Sequence, residues 1–133
     1  MLVLDANVML EACGASQGFA DFRGEQLIAP PLMWSEARSG LREAMWRGDI
    51  DETRALEVLS NMDRAPVRSR GHRRLGREAW HIAEELGWAK TYDAEYLALA
   101  RLAGGMVVTL DLRLRRGADR LGLVVTPEEL FGR

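Results

Sequence analysis

The sequence predicts an α/β fold: a mostly parallel sheet with helices on both faces. Three observations point there. Short apolar runs of strand length recur along the chain, as at Leu2–Leu4, Leu27–Ala29 and Met106–Leu110. The segments between them carry helical spacing and helix-ending glycines, notably Gly87 and the Gly104-Gly105 pair. Strand, helix and strand in alternation make βαβ units, which bury a parallel sheet between helices.

The elements follow in order. Leu2–Leu4 is a short buried strand ending at Asp5, and residues 6–13 read as a helix. Gly14–Gly24 reads as a loop, with room for one helical turn. The strand Leu27–Ala29 is stopped by Pro30 and Pro31, and proline is tolerated in a first helical turn, so a helix runs from about Pro31 to Trp46. Asp51–Asn61 is its helical partner. Ala65–Val67 reads as a third strand, and Arg73–Leu86 and Thr91–Ala103 as helices. Met106–Leu110 is a strand, Arg113–Arg120 a helix and Leu123–Val125 a last strand. Thr126 and Pro127 open a short terminal helix. No repeat or linker interrupts this pattern, so residues 1–133 read as one domain.

Composition sets bounds. With 133 residues, 47% hydrophobic and 29% charged, the chain can bury a core without disulfides, and Cys13 is its only cysteine. That suits a reducing, cytoplasmic setting. The first ten residues lack a basic stretch and contain Asp5, unlike a signal peptide, and no run is long and apolar enough for a membrane span. Net charge is −2, yet 17 of the 18 basic residues are arginine. They cluster at Arg68, Arg70, Arg73, Arg74 and Arg77, and again at Arg113, Arg115, Arg116 and Arg120. Such clusters suit phosphate contacts or solvated, paired helix faces equally well.

Four carboxylates stand out. Asp5 and Asp111 each follow a strand, at the carboxyl edge where doubly wound sheets place their sites. Asp93 lies in a helix's first turn, and Glu36 borders a core-facing stripe of Met33, Ala37, Gly40 and Leu41. Each has a plain structural role open to it: helix capping for Asp5 and Asp111, the helix dipole for Asp93, and reaching to water for Glu36. Together they favour a hard divalent cation, Mg²⁺ or Mn²⁺, because like charges at one place need neutralising. His72 and His81 are nine residues apart and read as structural or exposed, Cys13 as core. The four tryptophans, Trp34, Trp46, Trp80 and Trp88, read as core or interface residues before stacking platforms. A bound cation would activate water for attack on a phosphate, so no serine or cysteine nucleophile is required.

The blocks VLDANVML (3–10), Ser35-Glu36-Ala37, TYDAEYLALAR (91–101), VVTLDLRLRR (107–116) and VVTPEEL (124–130) resemble PIN-domain nucleases, and among them the VapC-type toxins of bacterial toxin–antitoxin pairs. The resemblance spans nearly the whole chain. It implies a three-layer α/β/α domain with a five-stranded parallel sheet and a Mg²⁺- or Mn²⁺-dependent endoribonuclease. It carries the catalytic and metal-binding roles onto Asp5, Glu36, Asp93 and Asp111, and gives Asn7 the task of orienting Asp5. Arg113, Arg115 and Arg116 become candidates for RNA contact. It further implies a homodimer and a cognate antitoxin contacting the Pro31–Leu59 region. Many relatives carry another acidic residue soon after the last site aspartate; here that segment is Leu112–Arg116, with Asp119 the nearest acid. An RNA-processing PIN nuclease outside a toxin pair and an inactive binding module are the alternatives. A receiver-like domain would want a lysine after a late strand, and an aspartate-nucleophile phosphatase an acid at position 7; neither is present.

Overall fold

The structure is a computed structural model describing residues 1–132. Five strands, β1 (Leu2–Leu4), β2 (Leu27–Ala29), β3 (Arg68–Ser69), β4 (Met106–Val108) and β5 (Val124–Val125), form one sheet in the order β3-β2-β1-β4-β5. Every neighbouring pair is parallel. Seven α-helices connect or follow them: α1 (Ala6–Gly14), α2 (Leu32–Trp46), α3 (Glu52–Asp63), α4 (Leu75–Leu86), α5 (Tyr92–Ala103), α6 (Leu112–Gly117) and α7 (Pro127–Phe131). The predicted α/β class and parallel sheet are therefore observed.

The chain runs from β1 outward to β3, then returns to β4 and moves outward the other way to β5. Right-handed crossovers put the helices of the two runs on opposite faces. The contacts agree: α1, α2 and α3 pack on one another, while α4 packs on α5 and α5 on β1 and β4. The direction of winding reverses between β1 and β4, where an open parallel sheet forms its crevice.

The strands are short because both faces are covered. All of β1, β2 and the last two residues of β4 are buried. In α5 the run Tyr96-Leu97-Ala98-Leu99-Ala100 is buried without a break, so this helix lies between the sheet and α4. Each such aliphatic side chain contributes about 1.5–3 kcal/mol by leaving water. The expected α2–α3 pair is present, with Met33, Ala37 and Leu41 of α2 facing the core.

Boundaries differ at three places. The strand expected at Ala65–Val67 forms instead at Arg68–Ser69. Pro66 has no N–H to give a ladder, and Val67 turns into the core. Strand β4 stops at Val108, so Asp111 stands three residues beyond its end. The helix expected over 113–120 ends at Gly117 and is followed by a 3₁₀ turn at Asp119–Leu121. A similar turn at Ala20–Phe22 occupies the predicted loop. The terminal helix is capped as Thr126 suggests: its hydroxyl accepts from the Glu129 N–H, and the Glu129 carboxylate accepts from the Thr126 N–H.

Gly105 sets the start of β4. A Cβ there would stand 2.6 Å from the carbonyl oxygen of Met1. Gly105→Ala should therefore destabilise the chain by about 1–3 kcal/mol in urea unfolding. Gly76 lies in α4 with nothing within 4 Å of its added Cβ. Gly76→Ala should stabilise by roughly 0.5 kcal/mol through helix propensity. Equal effects of the two would contradict this account of the β1–β4 start.

Candidate active site

The site grows from the carboxyl ends of β1 and β4. Asp5 follows β1 directly and caps α1, accepting from the Val8 N–H at 3.0 Å. It is only 7% exposed. Its second oxygen accepts from the Thr109 hydroxyl. The Thr109 hydroxyl oxygen in turn accepts from the Asp111 N–H at 3.0 Å. Thr109 thus ties the two strand-end aspartates together. Asp111 caps α6, accepting from the Arg113 and Leu114 N–H groups at 2.9 and 3.4 Å. The capping roles and a shared site coexist: each carboxylate oxygen has two lone pairs, and the caps leave acceptor capacity on both residues.

Glu36 reaches the rim from α2. Its carboxylate accepts from the Tyr96 hydroxyl at 2.5 Å, and Tyr96 is buried. Burial first, then the Glu36 bond, pushes the Tyr96 phenol far above its usual pKa. It stays a donor, and it fixes Glu36. Asp93 lies in the first turn of α5. Glu36, Asp93 and Asp111 line one open cleft of about 590 Å³ together with Trp88, Lys90, Tyr92 and Arg113. Asp5 is not in the lining; it joins the group through Thr109, which bonds both Asp5 and the Asp111 N–H.

Electrostatics links the acids. Burial raises the Asp5 carboxyl pKa, and the charge of Asp111 raises it further against the hydrogen bonds from Thr109 and Val8. Asp93 is raised by desolvation and by Asp111, with Arg113 pulling it down. Glu95 is raised by desolvation and by Glu36, which makes it a fifth acid bordering the group. The donors are all oxygen, which suits a hard cation. Among the described residues no three His, Cys, Asp or Glu side chains stand close enough to enclose an ion by themselves. The donor set thus matches a hard cation in its chemistry, while its spacing here does not enclose one.

Other predicted residues sort differently. Asn7 is exposed, and it reaches Asp5 through its backbone N–H; the side chain that orients Asp5 is Thr109. Arg115 is occupied. Its guanidinium donates to both Glu129 oxygens at 2.7 and 2.9 Å and to Asp119 at 2.5 Å. Those bonds raise the Arg115 pKa and hold Glu129 down at about 2. In this structure the Arg115 guanidinium is thus engaged by Glu129 and Asp119 rather than presented in the cleft. Arg113 lines the cleft; Arg116 is exposed outside its lining. Cys13 is a buried core residue, as expected, and burial pushes its thiol up to about 11. His72 and His81 are exposed, as expected. Trp46 and Trp80, at 82% and 63% exposed, are not core residues. Thr109, Tyr96 and Glu95 were not singled out from sequence. The only signal was their place beside an expected acid, two before Asp111 and two or three after Asp93.

The PIN domain model matches residues 2–120. The chain is 36% identical to VapC ribonuclease Mb0985 of Mycobacterium bovis, covering 96% of this chain and 99% of that one. The same figures hold for ribonuclease VapC9 of Mycobacterium tuberculosis. The crystal structure of PAE2754 from Pyrobaculum aerophilum shares the fold, with a TM-score of 0.72 at 23% identity, over 99% of this chain and 93% of that one.

The raised carboxyl pKa values carry a sign. In metal-free buffer the folded chain holds protons here that the unfolded chain has lost, so the site's contribution is greatest in acid and disappears as pH rises through the raised values. Asp5→Asn keeps a good cap while removing one charge. It should raise the metal-free Tm at neutral pH by about 2–5 °C, and the gain should shrink as pH falls and the wild-type carboxyl takes up its proton. A mutant melting below wild type at neutral pH would contradict this.

Proposed function

This chain belongs to the PIN domain family, and on that footing we propose that it is a Mg²⁺- or Mn²⁺-dependent endoribonuclease, the toxin of a toxin–antitoxin pair. The observation that carries the reading is that Glu36, Asp93 and Asp111 line one cleft, with buried Asp5 tied to Asp111 through the Thr109 hydroxyl. The ribonuclease names of the mycobacterial relatives support it.

Asp5, Glu36, Asp93 and Asp111 would hold the cation. When bound, it supplies activation of water and neutralisation of charge at the scissile phosphate. The chain does the rest. Thr109 holds Asp5 and the Asp111 backbone in register. Tyr96 holds Glu36 toward the cleft. Arg113 offers a guanidinium to the substrate phosphate on the cleft wall. The chain acts as a single domain over residues 1–133 in this reading, in the cytoplasm; no helix among the described residues is long and apolar enough to cross a membrane. The exposed Trp46 at the end of α2 supports the α2–α3 surface as the antitoxin's seat, and exposed Trp80 on α4 suits burial in a homodimer.

Purified protein should cut RNA with Mg²⁺ or Mn²⁺ and not with EDTA. Asp5→Asn or Asp93→Asn should lower the rate by at least about 100-fold. Cleavage that persists in EDTA, or that survives both substitutions, would refute the metal-site assignment. Arg113→Ala should weaken RNA binding and make log Kd less steep in log salt by about one contact. Arg115→Ala should leave that slope unchanged and lower Tm instead; the reverse pattern would exchange the two assignments.

A further inference from the structure

The cleft holds more than acids. Tyr92 opens α5 beside Asp93, and it is 55% exposed. Four residues on, Tyr96 is buried and bonded to Glu36, so one helix carries two tyrosines with opposite fates. Among the described residues the Tyr92 hydroxyl makes no hydrogen bond. Trp88 lies on the same cleft and is half-buried. Its indole is braced against α6, with a ring carbon 3.6 Å from where a Cβ on Gly117 would stand. Its backbone is braced too: left-handed Gly87 ends α4, and the Trp88 N–H donates to the Ala83 carbonyl at 2.8 Å. Lys90 and Arg113 complete this side, and neither makes an ion pair among the described residues.

This side of the cleft has two aromatic surfaces, one fixed and one open to solvent, and two cations, Lys90 and Arg113, the latter acting on Asp93 without a close ion pair. The carboxylates alone would repel a polyanion. Lys90 and Arg113 offset that where a phosphate would enter, and the rings offer a face to whatever the phosphate carries. A small anion would use the cations and leave the rings idle; a nucleotide uses both. We propose that Tyr92, with Trp88 on the same cleft, is a stacking floor for one unpaired nucleobase of the substrate next to the cut, while Lys90 and Arg113 take the adjoining phosphates. Aromatic stacking accepts any base but requires a free face. A base within a duplex has both faces covered by its neighbours. The site thus selects single-stranded RNA, with little preference for which base lies on Tyr92. The inference rests on the ribonuclease reading above. Tyr92 here is a binding residue, not part of the metal-holding group.

Two arms test it, one independent of cleavage. In EDTA, a short fluorescein-labelled single-stranded RNA is titrated by anisotropy with wild type, Tyr92→Ala and Tyr92→Phe. The alanine variant should bind about 5- to 150-fold more weakly, the phenylalanine variant like wild type. With Mn²⁺, Tyr92→Ala should raise KM by a similar factor with kcat nearly unchanged. An abasic nucleotide scanned along the RNA should reproduce the loss at one position with wild-type protein, and Tyr92→Ala should add nothing there. That scan needs no variant, so it stands even if Tyr92→Ala unfolds. Binding by Tyr92→Ala equal to wild type, Tyr92→Phe as weak as alanine, or no abasic-sensitive position would each overturn the proposal. Loss of cleavage by wild type under every condition, with the binding arm intact, would fault the nuclease reading and leave the stacking floor standing.

Discussion

The hydroxyl of Thr109 is the contact on which the site's geometry depends. It donates to Asp5 and accepts from the Asp111 N–H, so it converts two separate strand ends into one rim. The bond exists only because β1 and β4 are neighbours in a fixed register, with Leu4 beside Val108. That register is set at both ends: by Gly105, whose missing side chain admits Met1, and by the Asp5 N–H, which donates to the Val108 carbonyl at 3.3 Å. A slip of one residue would turn Thr109 to the other face of the sheet and leave Asp5 buried without its donor.

Much of the frame was legible because local rules govern it. Strands β1 and β2 begin and end where apolar runs meet Asp5 and Pro30, and α4 and α5 end at glycines in the left-handed region. Strand β3 was misread because periodicity cannot tell a core-filling Val67 from a paired Arg68 on a two-residue edge. The four acids were legible by position, at strand ends and helix starts. Their supports were not. Nothing in the sequence pairs Tyr96 with Glu36, sixty residues away, or Thr109 with Asp5, one hundred and four away. The pairing of Arg115 was hidden for the same reason: its partner Glu129 belongs to a cap fourteen residues downstream, and an arginine run looks uniform until such partners are known.

The arginines show how one charge type serves two ends. Arg115 is clamped between Glu129 and Asp119, joining α6 to α7. The C-terminal helix gains a second anchor where Phe131 meets the Phe22 ring edge-on at 5.1 Å. Arg113, two residues earlier and about half a helical turn away, faces the cleft instead. About half a turn of helix thus separates an ion-paired cation from one that lines the cleft. It also keeps the structural pair from drawing Arg113 off the acids.

The same reasoning bears on whether the cleft is a working site or a relic. A carboxylate at position 5 is held in a buried place beside another acid, and its pKa is raised in consequence. An asparagine there would cap α1 as well and would carry no charge to desolvate. Capping therefore accounts for an Asp or Asn but gives no reason for the charge. Tyr96 and Glu36 make a similar case, since a glutamine would also accept the phenol's hydrogen bond. A chain that carries two acids where neutral residues would serve its fold as well has a use for the charge, and the cation proposed for the cleft would supply one.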